Sequence, residues 1–338
     1  MIWNNAELFN IDELVPEEDG FFALRRLKGA KQTFPEDNIL FQNKMPHGAE
    51  LRFRLNGGKA KLVCRTAKGE RGRAFVYFGR ALLGEYAVGD SPAEVFAEMP
   101  VEQTVSRIGR EGGSPFGEKI VRVVFDGAQF ALGSLEGDIS LPAKEDLPAV
   151  RGVVHGSSIT AGYNSLIPDL GYVRVMERLL GAEIENLGFA GVCLAEDWIA
   201  RRIAERGRYD FIALEFGVNV MYRIGEEEFA CRVRAFLSEL RKGTDAPVFC
   251  TDCFTFAYAQ SKIPDEKYRA FKRAVQNAVS ECGGKNSYYI DGETLLKDYR
   301  HLSADGVHPD VFGHMEIGSA FAEKIAARTG LKLQKPLF

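Results

Sequence analysis

From residue 149 onward the chain alternates between short apolar runs and longer amphipathic segments, and few folds accommodate that order. The candidate strands are 150–155, 183–187, 211–216, 247–251 and 287–291. Apolar residues recur at helical spacing over 172–180, 194–205, 226–241, 264–281 and 311–329. In 226–241, Phe229, Val233, Phe236, Leu237 and Leu240 mark one helical face, with Glu and Arg elsewhere. Five strands separated by helices predict a parallel sheet covered on both faces.

Residues 1–145 have a different texture. Leu51, Phe53 and Leu55 alternate with Arg52, Arg54 and Asn56; after Gly57-Gly58, Ala60, Leu62 and Cys64 alternate with Lys59, Lys61 and Val63. Two period-2 runs joined by Gly-Gly predict a hairpin. Further strand signals are 74–78, 105–108, and Val121, Val123 and Phe125 before Asp126-Gly127, with a return over 129–132. Many short strands with Gly-rich turns suggest an all-β sandwich or jelly roll. At 338 residues two domains are the default. The expectation is a jelly-roll-like domain over 1–145 and an α/β domain over 149–330, linked through Lys144-Glu-Asp-Leu-Pro148.

Bulk properties exclude several classes of partner. A formal charge of −4 and the absence of a basic run give no reason to expect nucleic acid. No stretch reaches the roughly 18 apolar residues of a membrane span. The start, Met1-Ile-Trp-Asn-Asn-Ala-Glu7, has neither a basic nor an apolar signal region, so a cytoplasmic location is expected. The six cysteines are irregularly spaced, which argues against a disulfide framework. Cys250-Thr-Asp-Cys253 has no second pair to complete a zinc set, so no metal is expected.

The first strand of the α/β half runs into Gly156-Ser-Ser-Ile-Thr160, with Gly162 beyond. A phosphate loop is excluded, because Gly162 lies one residue too far from Gly156 and no Lys follows. A dinucleotide loop lacks its glycines. A Gly-x-Ser-x-Gly elbow fails at Thr160. A serine at a strand end remains, and Ser157 and Ser158 are both candidates. A serine nucleophile needs a base and an acid to orient it, and Asp305-Gly-Val-His308-Pro309, the last loop before the last helix, offers both. Asn186-Leu-Gly-Phe-Ala-Gly191 and Gly217-Val-Asn219, each after another strand, could supply oxyanion donors. His155 is a candidate for lining the pocket, as are Phe254 and Tyr258; His301 and His314 have no metal-ligand spacing.

This set of four blocks over residues 149–330 resembles the SGNH (GDSL-like) hydrolases. The resemblance implies a five-stranded, flavodoxin-like α/β/α sandwich. It selects Ser158 as nucleophile over Ser157. It implies His308 as base, Asp305 as orienting acid, and an oxyanion hole of Ser158 N–H, Gly191 N–H and the Asn219 amide. Two positions depart from the family pattern. Ser157 replaces the usual Asp, so the nucleophile's neighbourhood is expected to lose a carboxylate, and Val220 replaces a frequent Asp. The β-rich first half resembles two-domain members that include carbohydrate esterases. The implied function is a cofactor-free serine esterase acting on a small acyl ester, such as an O-acetyl group on a carbohydrate. An acyltransferase using the same acyl-enzyme is the nearest alternative, and a non-catalytic carbohydrate-binding protein the more distant one.

Overall fold

The computed structural model describes residues 1–31, 38–98, 114–257 and 262–334. Residues 1–31 with 39–149 make one compact unit, and residues 150–334 make another. The strand expected at 105–108 lies outside the described residues.

The strands of the first unit are β1 (Ile2–Trp3), β2 (Ala6–Phe9), β3 (Glu13–Pro16), β4 (Phe22–Arg25), β5 (Glu50–Thr66), β6 (Gly72–Phe78), β7 (Ala81–Val88), β8 (Ala93–Glu98), β9 (Ile120–Asp126) and β10 (Phe130–Ser140). Every pairing among them is antiparallel. The 17-residue β5 holds them together. Its first part pairs with β2 and β9, its later part with β8, and β10 runs alongside it from Arg54 to Thr66.

The Gly57-Gly58 hairpin is therefore not formed, because both glycines lie inside β5. Gly58 sits at φ 65°, and the register with β10 shifts where Gly57 faces Asp138 and Leu55 faces Ile139. The glycines make a bulge rather than a reversal. The bulge has a clear effect on facing. The inward residues are odd-numbered before it (Leu51, Phe53, Leu55) and even-numbered after it (Ala60, Leu62, Cys64), and all six join one core. Without the irregularity, a period-2 strand would turn one of those sets outward. Asp126-Gly127 does end β9, but β10 then pairs with β4 and β5 instead of returning along β9.

β5 also buries charge. Glu50, Arg52 and Arg122 are all buried. Glu50 Oε2 accepts from Arg52 Nε at 2.6 Å and from Arg122 Nε at 2.8 Å. The Arg52 guanidinium lies 3.7 Å from the centroid of Phe9, and that of Arg122 lies 4.2 Å from the centroid of Phe116.

The second unit contains the predicted parallel sheet: β11 (Val150–Gly156), β12 (Ala182–Gly188), β13 (Phe211–Glu215), β14 (Val248–Thr251) and β15 (Ser287–Ile290). Their order is β12-β11-β13-β14-β15, and all are parallel. β12 and β13 are buried along their whole length; β13 is almost wholly apolar, whereas in β12 Glu183 pairs with Arg151 at 2.9 Å and Glu185 with Arg206 at 2.8 Å. Helix Tyr172–Leu180 packs on Val311–Thr329, while Asp197–Arg206, Glu226–Arg241 and Asp265–Cys282 pack in series. Glu226, Glu227 and Glu228 in the first turn of one helix and Arg241 in its last turn complement its dipole. The chain leaves β11 for β12 on one side and then crosses to β13 on the other. That reversal opens a crevice at the carboxyl end of β11. Among the described residues no helix is long and apolar enough to cross a membrane.

The buried triad of charges in the first unit gives a direct test. Glu50→Ala removes the carboxylate that two buried guanidiniums share and should cost about 3–5 kcal/mol, seen as a lower denaturant midpoint. An unchanged midpoint would show that the network contributes nothing to stability.

Candidate active site

β11 ends at Gly156, and the chain passes directly into the short helix Ser158–Ala161. Glycine is required at 156, because a Cβ there would lie 2.1 Å from Thr160 Oγ1 and 2.5 Å from Glu215 Oε2. Ser157 caps the helix, its Oγ accepting from Ile159 N–H at 3.2 Å. Ser158 thus occupies the first helical position, where its N–H has no intrahelical acceptor.

Ser158 Oγ lies 2.7 Å from His308 Nε2. On the other edge of the ring, His308 Nδ1 lies 2.8 Å from Asp305 Oδ2. Asp305 is fixed by its own turn, with Oδ1 accepting from the Val307 and His308 N–H groups at 2.9 Å each. Partial burial pushes the Asp305 carboxyl up. The backbone donors of His308 and Val307, with the His308 ring, outweigh that and hold it below the ordinary carboxylate range. An ionised carboxylate beside Nδ1 places the proton of the neutral ring there and turns the Nε2 lone pair toward Ser158.

Gly191 follows β12 at φ 74°, a conformation that favours glycine, with open space where a Cβ would stand. Asn219 follows β13. Cys193 N–H donates to Asn219 Oδ1 at 3.2 Å, which fixes the amide and leaves Nδ2 as its donor. Ser158, Gly191, Asn219 and His308 line one cavity of about 380 Å³, and Asp305 stands behind His308. Tyr163, Tyr222 and Arg223 are also in the lining, and the sequence reading did not single them out. Tyr163 stacks on His308 with ring centroids 5.7 Å apart. Tyr222 and Arg223 follow Asn219 closely in the same loop, so their place on a strand-end loop was the available signal.

The expected loss of a carboxylate beside the nucleophile does not occur. Glu215, the last residue of β13, supplies one. Its Oε2 accepts from Ser157 N–H at 2.7 Å, Ser157 Oγ at 2.8 Å and Thr160 Oγ1 at 2.9 Å. Burial pushes the Glu215 carboxyl up, against the pull of these donors. A charged residue closing an otherwise apolar strand was the missed signal.

Other candidates have different roles. His155 is fully buried, bonded through Nδ1 to Leu187 O at 2.9 Å and stacked on Phe236, so it packs rather than lines the cavity. Phe254 packs edge-on against Tyr172 in the core. Tyr258 lies outside the described residues. His301 pairs with Glu316 at 2.8 Å. Cys250 and Cys253 are buried free thiols, pushed above the ordinary thiol range by burial. His314 Nδ1 accepts from Tyr172 N–H at 3.3 Å, so Nε2 carries the proton and donates to Tyr163 O at 2.7 Å. This ties the Tyr163 segment to the last helix.

Residues 154–315 match the family model of the GDSL-like lipase/acylhydrolases. No curated protein matches the chain. Among solved structures the fold is similar to that of the salicylyl-acyltransferase SsfX3 from a tetracycline biosynthetic pathway, at 17% identity and TM-score 0.79, covering 96% of this chain and 94% of that one. It is also similar to a family two carbohydrate esterase from Clostridium thermocellum solved with cellohexaose, at 15% identity, TM-score 0.62 and coverage of 84% and 92%. A family two carbohydrate esterase from Cellvibrio japonicus matches at 12% identity, TM-score 0.65 and coverage of 97% and 96%. At these identities the likeness is one of fold.

His314 makes the site's support sensitive to acid. Burial pushes it down to about 4, whereas a free histidine titrates near 6.5. Between those values the unfolded chain binds the extra proton, so stability is lost as pH falls through that window. Denaturant midpoints at pH 7 and pH 5 should differ more in the wild type than in His314→Gln. Equal pH dependence in the two would remove His314 from the acid response.

Proposed function

We propose that this chain, whose residues 154–315 belong to the GDSL-like lipase/acylhydrolase family, is a serine esterase that releases a small acyl group from an alcohol. The observation that carries the reading is the continuous contact from Ser158 Oγ to His308 Nε2 at 2.7 Å and from His308 Nδ1 to Asp305 at 2.8 Å. In the proposed reaction His308 Nε2 takes the Ser158 proton as Oγ attacks the ester carbonyl carbon. Asp305 holds the imidazole and stabilises its protonated form. The carbonyl oxygen, now negative, is met by Ser158 N–H, Gly191 N–H and Asn219 Nδ2. His308 then returns the proton to the departing alkoxide, leaving an acyl-enzyme. Water repeats the sequence, losing its proton to His308 as it attacks, and the acid leaves with Ser158 restored.

A cavity of about 380 Å³ has room for a short acyl group together with part of its alcohol. The exposed rings of Tyr163 and Tyr222 at its wall offer flat faces to a sugar ring, which favours an acylated carbohydrate such as an O-acetyl sugar. The carbohydrate esterases among the similar folds agree with that choice. An alcohol in place of water would make the same acyl-enzyme an acyltransferase. The similar salicylyl-acyltransferase keeps that second reading open to test.

Hydrolysis of p-nitrophenyl acetate and acetylated sugars tests the assignment, with product analysis in the presence of added alcohols separating hydrolysis from transfer. Ser158→Ala should abolish turnover, and a retained rate would overturn the nucleophile. Asp305→Asn should lower kcat by roughly 10⁴ with the fold intact. Asn219→Ala, which removes one oxyanion donor, should lower kcat by about 10²–10³. A wild-type rate in either variant would take that residue out of the mechanism. Glycan binding with no activity on any ester or acyl acceptor would favour a binding protein instead.

A further inference from the structure

Glu215 ends a neighbouring strand, yet its carboxyl lies under the nucleophile turn. The three donors described above all converge on one oxygen, Oε2. Oε1 is buried and meets no hydrogen-bond partner among the described residues. A carboxyl kept only to fill space would be a poor choice here. Burying it with one oxygen unpartnered is costly, and an apolar side chain of similar shape would avoid that penalty. What the carboxyl does hold is the turn itself: Ser157 immediately before Ser158, and Thr160 two residues after it. Thr160 gives its one hydroxyl proton to Glu215, so Tyr172 O–H must be the donor in its 2.7 Å contact with Thr160 Oγ1. A directed set of hydrogen bonds thus runs from Tyr172 through Thr160 to Glu215 and meets Ser157 there.

We propose that Glu215 is a positioning residue, whose carboxylate fixes residues 156–160 so that Ser158 Oγ stays on His308 Nε2 and Ser158 N–H stays open to the acyl oxygen. The proposal rests on the serine-esterase reading above. It requires the charged form, because hydrogen bonds to an ionised acceptor are roughly twice as strong as neutral ones. The titratable groups facing Glu215 are Tyr172, Cys193, Cys253 and His308. Burial pushes the phenol and both thiols above their ordinary values, so they stay neutral as pH falls. Burial also pushes Glu215 itself up. Its charge, and the turn it holds, is therefore lost at a higher pH than an exposed carboxylate would lose it, and kcat should fall there.

Glu215→Gln keeps the shape and an acceptor but removes the charge. The expected result is a kcat lowered about 10- to 100-fold, with KM within about twofold. The variant's kcat should also fall less steeply toward acid than that of the wild type, because only one of the two contributions to the acid-side loss, that of the general base, remains. A folded Glu215→Gln with wild-type kcat and pH profile overturns the proposal. If that variant loses its cooperative thermal transition, Thr160→Val decides. It removes one donor and leaves the carboxyl in place, so a fall in kcat supports positioning and a wild-type kcat overturns it. Ser158→Ala separates the two levels. Activity lost there but unchanged in Glu215→Gln sinks this proposal alone, whereas activity retained in Ser158→Ala sinks the reading beneath it.

Discussion

A hydroxyl and an imidazole separated by 150 positions in the chain meet at 2.7 Å, and the rest of the second unit can be understood as what makes that contact possible. Ser158 is delivered by a strand flanked on both sides, β12 on one and β13 on the other. His308 is delivered by a loop closed on itself, where Ser303 N–H bonds His308 O at 2.8 Å and Leu302 bridges Pro309. Neither end is free to drift. A shift of about 1 Å in such a pair can cost on the order of a hundredfold in rate, so rigidity on both sides has direct chemical value. The oxyanion donors proposed here come from the same rigid rim, at the carboxyl ends of β11, β12 and β13.

The sheet was legible because its signal is redundant. Each candidate strand from 150 to 291 is short, each connecting segment has helical periodicity, and together they admit few arrangements. In the first unit the local signals were as strong but pointed elsewhere. Gly57-Gly58 carries the composition of a hairpin, yet the flanking runs found better partners in β2, β8, β9 and β10 than in each other. A glycine pair reports that the backbone can depart from the strand. Whether it reverses or bulges is decided by strands far away in sequence, and the change from odd to even inward residues is where that decision is written.

The candidate site divides along the same line. Asp305 and His308 are three residues apart, so their 2.8 Å contact is a local property of a Gly-containing turn. The choice of Ser158 over Ser157 needed a family pattern, because both are serines on one turn. The structure adds a reason for the division of labour: Ser157 Oγ is engaged by Ile159 N–H and Glu215, while Ser158 Oγ faces His308. Tyr163 and Tyr222 could not be ranked from sequence, since an aromatic on a loop gives no hint of which wall it forms.

In the proposed reading two carboxylates serve one serine, and their surroundings drive their protonation apart. Asp305 is close to solvent and wrapped by its own turn's donors, which hold it ionised. Glu215 is enclosed, and burial pushes it toward the neutral acid even though three donors favour its charge. Groups of the same chemistry with separated protonation behaviour are a recurring mark of working sites. Here the separation has a structural logic. In the proposed reaction the carboxylate facing the imidazole remains charged throughout, because it stabilises a cation that appears and disappears. The one beneath the turn meets no reacting atom; in the proposal above, its charge holds three donors in place. That is why it can sit where water cannot reach it, and why Ser157, with a hydroxyl to offer it, fits the position beside the nucleophile better than a third carboxylate would.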